Sequence, residues 1–299
     1  MNSDQSPLFV EPIVEAGGGF QEPPKSTAVT FIDPNNPPWG VLAALLVWMA
    51  SIAFLVFVPI ITALPYIIYS ATTGAAARPD TLLADKNFIF FSVLGVIPAH
   101  LVTFGLAWAV VTKAGRYPFW KSIGWEWQPN FGPWKSTFIA LLLLGIGFLI
   151  TTLVGGKKTE LDELINSSYQ TRIATAILAA TTGPFVEEVV YRGVLYSAFQ
   201  KAIGVAASIL IVSALFAGVH VYQYRTNAGV IAVISLLSIT LTAVRAYSGR
   251  LLPSFIIHFV FNGIQSILLL IQPVIERFQH IAPGKAPAQI LTSFLRWHL

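Results

Sequence analysis

Long apolar runs separated by short charged or polar segments dominate the chain. No acidic or basic side chain lies between Asp33 and Arg78, a stretch of mostly apolar residues. A bilayer core needs about 20 consecutive apolar residues in a helix. We therefore predict one long membrane helix over about 39–70, bent where Pro59 or Pro65 interrupts the backbone hydrogen bonding.

Further apolar runs follow, and each is bounded by polar or charged positions. The predicted spans lie between Lys86 and Lys113, at about 136–154, from about Ile173, between Lys201 and Arg225, between Arg225 and Arg245, and at about 251–275. The runs are continuous and do not alternate with polar residues, which favours helices over a membrane β-barrel. The pattern predicts an all-α polytopic membrane helix bundle with about seven to eight transmembrane helices.

The polar stretches divide the chain into four parts. Residues 1–38, which contain Gly- and Pro-rich sequence, are predicted to form a flexible N-terminal tail. Residues 39–112 hold the first two spans, and 113–275 hold the remaining spans together with the candidate chemistry. Residues 276–299 form a C-terminal tail whose mixed pattern fits an interfacial helix. Apolar residues at helical spacing just after the third span also predict a short amphipathic helix on the membrane surface.

Composition agrees with a membrane protein and excludes several classes. The 299 residues are 55% hydrophobic and 11% charged, with a mean hydropathy of +0.69, whereas soluble domains carry about 25% charge. The net charge of +4 is typical of loops that face anionic lipid, so we expect no nucleic-acid partner. The chain has no cysteine, which excludes disulfides, thiol catalysis and cysteine-ligated metals. No internal repeat is visible, which weighs against an inverted-repeat transporter.

Two adjacent glutamates are the most informative polar residues in the chain. Glu187 and Glu188 lie in an apolar span, and Arg192 follows four residues after Glu188. A charged side chain at membrane depth costs at least about 2.5–3.5 kcal/mol, so such groups face a protein interior or a watery cavity. Glu188 and Arg192 share a helix face and can pair, whereas Glu187 points about 100° away and has Tyr191 at its i+4 position.

Histidines and an asparagine on other spans supply companions for these carboxylates. His220 lies near the end of the fifth span, one turn after Phe216, and His258 and Asn262 lie four apart on the seventh. A partly desolvated glutamate can act as a general base toward water, and His or Asn can donate hydrogen bonds to an oxyanion. Two histidines and a carboxylate also describe a hydrolytic zinc site, here Glu187, His220 and His258. The residues alone leave both mechanisms open.

Three motifs in this order resemble those of a known enzyme family. EEVVYRG at 187–193, FAGVH at 216–220 and HFVFN at 258–262 are similar to the EExxxR, FxxxH and HxxxN patterns of the CPBP intramembrane peptidases. That family, also called ABI, includes the type II CAAX prenyl endopeptidases and bacteriocin-processing enzymes. The resemblance covers about residues 120–275 and implies an all-helical membrane fold, a water-filled cavity and peptide-bond hydrolysis.

The resemblance also implies roles for individual residues. Glu187 with His220 would activate water, while Glu188 and Arg192 would orient the base and the substrate. His258 and Asn262 would stabilise the oxyanion, with Tyr191 and Phe216 contributing to orientation. We expect no cofactor, with zinc as the alternative for a metallopeptidase.

The predicted function is therefore endopeptidase cleavage of a membrane-associated protein or peptide, prenylated at a CAAX sequence or bacteriocin-like, by glutamate-activated water. Such an enzyme would be a multi-pass protein in contact with the lipid bilayer, and we expect a bacterial cytoplasmic membrane. The alternatives are a metal-dependent peptidase, a non-catalytic scaffold or immunity protein of the same fold, and a transporter that uses the buried acids. His100 lies outside the three motifs and follows Pro98, so we interpret it as a structural histidine bonded to a backbone carbonyl that the proline leaves free.

Overall fold

Each predicted span is a helix in the computed structural model, which describes residues 32–74 and 79–281. Seven helices in this part of the chain are long and apolar enough to cross a bilayer. We label them in chain order as α1 Val41–Thr73, α2 Lys86–Thr112, α3 Pro133–Val154, α4 Tyr169–Ile203, α5 Val205–Tyr224, α6 Ala228–Ser248 and α7 Leu251–Ile281. The described residues contain no β-strand. The prediction of an all-α polytopic bundle is confirmed, and the chain is a multi-pass integral membrane protein.

The segments between the spans are short helices and turns. Phe119–Ser122 forms one helical turn in the basic, aromatic loop before α3, and Pro79–Leu83 forms another before α2. The short helix Glu160–Asn166 forms where the sequence predicts an amphipathic helix. Thr159 and Asp162 close its first turn with a capping box. The predicted tail residues 1–31 and 282–299 lie outside the described residues.

The first half of the bundle is built on a close approach between α1 and α2. A Cβ atom at Gly95 would lie 2.5 Å from the Cα of Pro59, so only glycine permits this crossing. Regular α2 backbone is interrupted here, because the helix consists of Lys86–Leu94 and Val96–Thr112 with Gly95 between them. Pro59 and Pro65 both lie within α1. The bend at Pro59 or Pro65 stays a prediction, and the interruption at Gly95 was not predicted.

The second half of α4 forms the centre of the protein. Every residue from Glu188 to Leu195 is buried, against apolar side chains of α1, α2 and α5. The outer helices expose many large apolar side chains, among them Leu42, Phe57, Phe138 and Leu210, as expected for surfaces that face hydrocarbon. The polar motif residues of α4 therefore lie at the centre of the bundle.

A buried arginine on α6 holds the chain that leads into α1. Arg245 is fully buried, and its guanidinium donates to the Asn35 side chain and the Pro34 carbonyl oxygen, at 2.8 and 2.9 Å. Lys201 donates to the Pro37 carbonyl oxygen from the end of α4. Residues 32–38, which the sequence pattern assigns to the flexible tail, are thus bonded to the bundle.

Candidate functional site

The motif glutamates lie where α4 changes its winding. The helix is α-helical over Thr182–Glu187 and π-helical over Glu188–Leu195. The Tyr196 N–H donates to the Tyr191 carbonyl oxygen, five residues back. Wider π turns are rare and occur frequently at functional sites. Here they span the part of α4 that carries Glu188 and Arg192.

Glu188 and Arg192 form a fully buried ion pair. The Arg192 Nη1 atom donates to Glu188 Oε1 at 3.0 Å, and both side chains are 0% exposed. The remaining guanidinium N–H groups bond to α6, where Nη2 donates to Ser238 Oγ at 2.8 Å and Nε donates to the Thr242 hydroxyl at 3.3 Å. Arginine stays protonated in proteins, so this pairing keeps the Glu188 carboxylate ionised.

His258 on α7 lies between the two glutamates. Its Nδ1 atom is 3.0 Å from Glu188 Oε1, and its Nε2 atom is 3.7 Å from Glu187 Oε2. Because an ionised carboxylate only accepts hydrogen bonds, Nδ1 carries a proton toward Glu188. The neutral ring then presents the Nε2 lone pair toward Glu187. The ring is 2% exposed, so its orientation is fixed by burial as well as by Glu188.

Glu187 differs from its neighbour because it reaches a cavity. Its side chain is 30% exposed and lines a cavity of about 560 Å³ inside the bundle. His220, His258 and Asn262 line the same cavity, whose wall is otherwise mostly apolar. Glu188 and Arg192 do not line it but lie behind it. Of the predicted site residues, the structure therefore brings five polar side chains to one cavity, since Tyr191 also lines it, and places the ion pair behind the cavity wall.

His220 is held by its own helix. Its Nδ1 atom lies 2.8 Å from the Phe216 carbonyl oxygen, one turn earlier on α5. A carbonyl oxygen only accepts, so Nδ1 donates and Nε2 is the atom with a free lone pair. In the described residues no direct contact joins His220 to Glu187, and His258 is the histidine closest to that carboxylate.

Asn262, Tyr191 and Phe216 complete the wall. The Asn262 Nδ2 atom donates to the Ala179 carbonyl oxygen at 3.1 Å, which leaves its second N–H free. Tyr191 accepts a hydrogen bond from the Trp48 indole at 3.0 Å, and its ring meets Phe216 edge-on at 5.0 Å. Phe216 lies under the Arg192 guanidinium at 4.6 Å and so packs the buried ion pair against the cavity.

The side chains proposed as zinc ligands are not arranged as a metal site in the described residues. In the described ranges, no group of three or more His, Asp or Glu side chains is arranged to hold a metal ion. Glu187 Oε2 and His258 Nε2 lie 3.7 Å apart, but in the described residues no direct contact joins His220 to Glu187. We therefore assign no step to a metal.

Two parts of the site were not predicted. Ser238 and Thr242 on α6 hold Arg192, and no motif marks them; their i,i+4 spacing inside an apolar span was the available signal. His100 was predicted to bond a backbone carbonyl, and this is wrong. Its Nδ1 atom bonds to the Thr182 hydroxyl at 2.9 Å, and the ring lines the same cavity as Glu187.

Comparisons with known proteins support the resemblance. Residues 169–264 match the family described as "Rce1-like: Type II CAAX prenyl endopeptidase Rce1-like". Searches of the curated proteins and of the solved structures found no match. The matched segment begins with α4 and contains all three motifs, and it supports an intramembrane peptidase of the CAAX type in general. The resemblance stated from the motifs is thus confirmed over residues 169–264, which match the type II CAAX prenyl endopeptidase family.

Proposed function

We propose that this protein hydrolyses a peptide bond of a membrane-associated protein, with Glu187 as the base that activates water. The observation that carries the proposal is the unequal placement of the two glutamates. Glu187 reaches the cavity, whereas Glu188 is fully buried and neutralised by Arg192. The first can accept a proton from water, and the second is already committed to Arg192 and His258.

The reaction follows from this arrangement. A water beside Glu187 forms a bond to the substrate carbonyl carbon while its proton passes to Glu187, and the carbonyl oxygen becomes an oxyanion. The free N–H of Asn262 is a suitable donor to that oxyanion. The C–N bond then breaks as the leaving amine takes the proton from Glu187, which yields a carboxylic acid and an amine.

The histidines support this sequence in different ways. His258 presents Nε2 toward Glu187 and can share the proton that Glu187 receives, while Glu188 stabilises the imidazolium that results. His220 presents its Nε2 lone pair to the cavity and can orient the water. The resemblance assigns His258 to the oxyanion, but the neutral ring has no proton on Nε2, so this role requires the imidazolium form.

The substrate belongs to the same proposal. The cavity lies among membrane helices and has mostly apolar walls, which suits a membrane-anchored protein or peptide such as a prenylated CAAX or bacteriocin-like chain. The family match supports a protein substrate and a bilayer location. We also propose that the membrane is a bacterial cytoplasmic membrane.

Cells that express wild-type protein or Glu187→Gln test the proposal. Mass spectrometry of protein termini should show an uncleaved precursor in Glu187→Gln cells and its shortened product in wild-type cells. Glu160→Gln is the matched control, because Glu160 is an exposed acid on the short surface helix. Synthetic peptides that span the cleavage site, with and without a prenyl group, then determine the substrate class in liposomes. Equal amounts of product with wild type and Glu187→Gln would refute the proposed base.

A further inference from the structure

His100 has the features of a ligand-binding residue and not of a structural histidine. It lies on α2, a helix that carries none of the three motifs, yet it lines the cavity and is 8% exposed. Glu187 lines the same cavity. Thr103 lies one turn later in the same wall, and its hydroxyl donates to the Ala99 carbonyl oxygen of its own helix. The hydroxyl proton of Thr103 is therefore already used within α2.

The Thr182 hydroxyl bonds to His100 Nδ1, as donor or as acceptor according to the tautomer of the ring. In the described part of the chain, the Thr182 hydroxyl has His100 Nδ1 as its partner, whereas Thr181 donates back to the Ile177 carbonyl oxygen of its own helix. A hydroxyl that donates to Nδ1 leaves the proton of the neutral ring on Nε2. In that tautomer His100 presents an N–H donor to the cavity.

This makes His100 different from the two motif histidines. His220 and His258 both use the Nδ1 proton within the protein, so their neutral rings present only a lone pair to the cavity. Among the described residues His100 Nε2 has no hydrogen-bond partner, and the ring lines the cavity, so this atom is available to a bound peptide.

We propose that His100 Nε2 donates a hydrogen bond to a main-chain carbonyl oxygen of the bound peptide and so fixes its register. This rests on the proposed peptidase function. Thr182 precedes Glu187 by five helical residues, or about 7.5 Å of rise. An extended peptide advances about 3.3 Å per residue. For an extended peptide that lies along α4, the bonded carbonyl is about two residues from the peptide bond that Glu187 hydrolyses.

A pair of isosteric substitutions separates this role from a structural one. His100→Gln keeps a donor near the Nε2 position but loses the bond to Thr182, whereas His100→Asn keeps a group near Nδ1 and loses the donor in the cavity. If binding matters, His100→Gln should retain kcat/KM within about threefold. His100→Asn should raise KM by about 3–10-fold with kcat nearly unchanged, as expected for the loss of one hydrogen bond.

The assay uses the purified full-length variants in liposomes. The substrate is a quenched fluorescent peptide with a prenylated cysteine. If Glu187→Gln cells accumulate a different precursor, the peptide from that precursor replaces it. Thr103→Val is the control and should leave KM unchanged, since it removes a hydroxyl from the same wall. If His100→Asn kept the wild-type KM and His100→Gln raised it, the inference about His100 would be refuted, while the proposed peptidase function would still stand. A wild-type protein no more active than Glu187→Gln would overturn the proposed function and this inference with it.

Discussion

Removing Arg192 should damage the protein far more than removing an arginine from an exposed ion pair. Arg192→Met leaves the Glu188 carboxylate buried at 0% exposure without its counter-charge. Loss of one partner from a buried pair costs about 3–5 kcal/mol. Glu188→Gln leaves the Arg192 guanidinium buried without its counter-charge and should lower the free energy of unfolding by a similar amount. The Arg225–Glu160 pair, with side chains 50% and 55% exposed, should contribute little to stability because water screens the two charges.

The double variant, Arg192→Met with Glu188→Gln, is the decisive measurement. Its new amide oxygen can still accept from His258 Nδ1, and no unpaired charge remains, so the double variant should be more stable than the sum of the single effects predicts by at least about 2 kcal/mol. Free energies of unfolding from reversible denaturation in mixed micelles measure this coupling. Arg225→Met with Glu160→Gln is the matched control cycle. Effects that add to within about 0.5 kcal/mol at Arg192 and Glu188 would refute the assignment of a strongly coupled buried pair.

Three further predictions concern the oxyanion donor, the metal alternative and the helix crossing. Asn262→Ala should lower kcat by about 10²–10³-fold with little change in melting temperature, and an unchanged kcat would exclude Asn262 as a donor to the oxyanion. Dialysis of the purified protein against a zinc chelator should leave the rate of peptide cleavage unchanged, whereas loss of activity restored by zinc would favour a metallopeptidase. Gly95→Ala should destabilise the protein by about 1–3 kcal/mol because of the contact with Pro59, while Gly105→Ala, which meets no atom within 4 Å, should be neutral or stabilising by up to about 1 kcal/mol. Equal unfolding midpoints for the two alanine variants would contradict the close crossing of α1 and α2.

The membrane spans could be predicted because they depend on a local quantity. The cost of a charge in hydrocarbon forces Lys86, Lys113, Lys201 and Arg225 to the ends of apolar runs, so the spacing of charges alone locates the helices. The pairing of Glu188 with Arg192 is local in the same sense, because four residues separate them.

The rest of the candidate site depends on contacts between distant parts of the chain. His100 and Thr182 are 82 residues apart, and no spacing rule connects them. The π turns over Glu188–Leu195 change which residues share a face of α4, and no sequence pattern predicted them. Sequence reasoning therefore identified the residues of the three motifs but not which of them reach the cavity. Their catalytic roles stay predictions for the variants described above.

The attachment of the segment before α1 has a consequence for expression of shortened chains. Arg245 donates to the Asn35 side chain and the Pro34 carbonyl oxygen. The segment before α1 therefore supplies hydrogen-bond acceptors to a buried guanidinium of the bundle. A shortened protein that starts at Pro38 would lose both hydrogen bonds of the Arg245 guanidinium, although every membrane span would remain. A purification tag can be fused upstream of Ile32 without touching these bonds, whereas the first amino acid of a minimal protein should lie no later than Asp33.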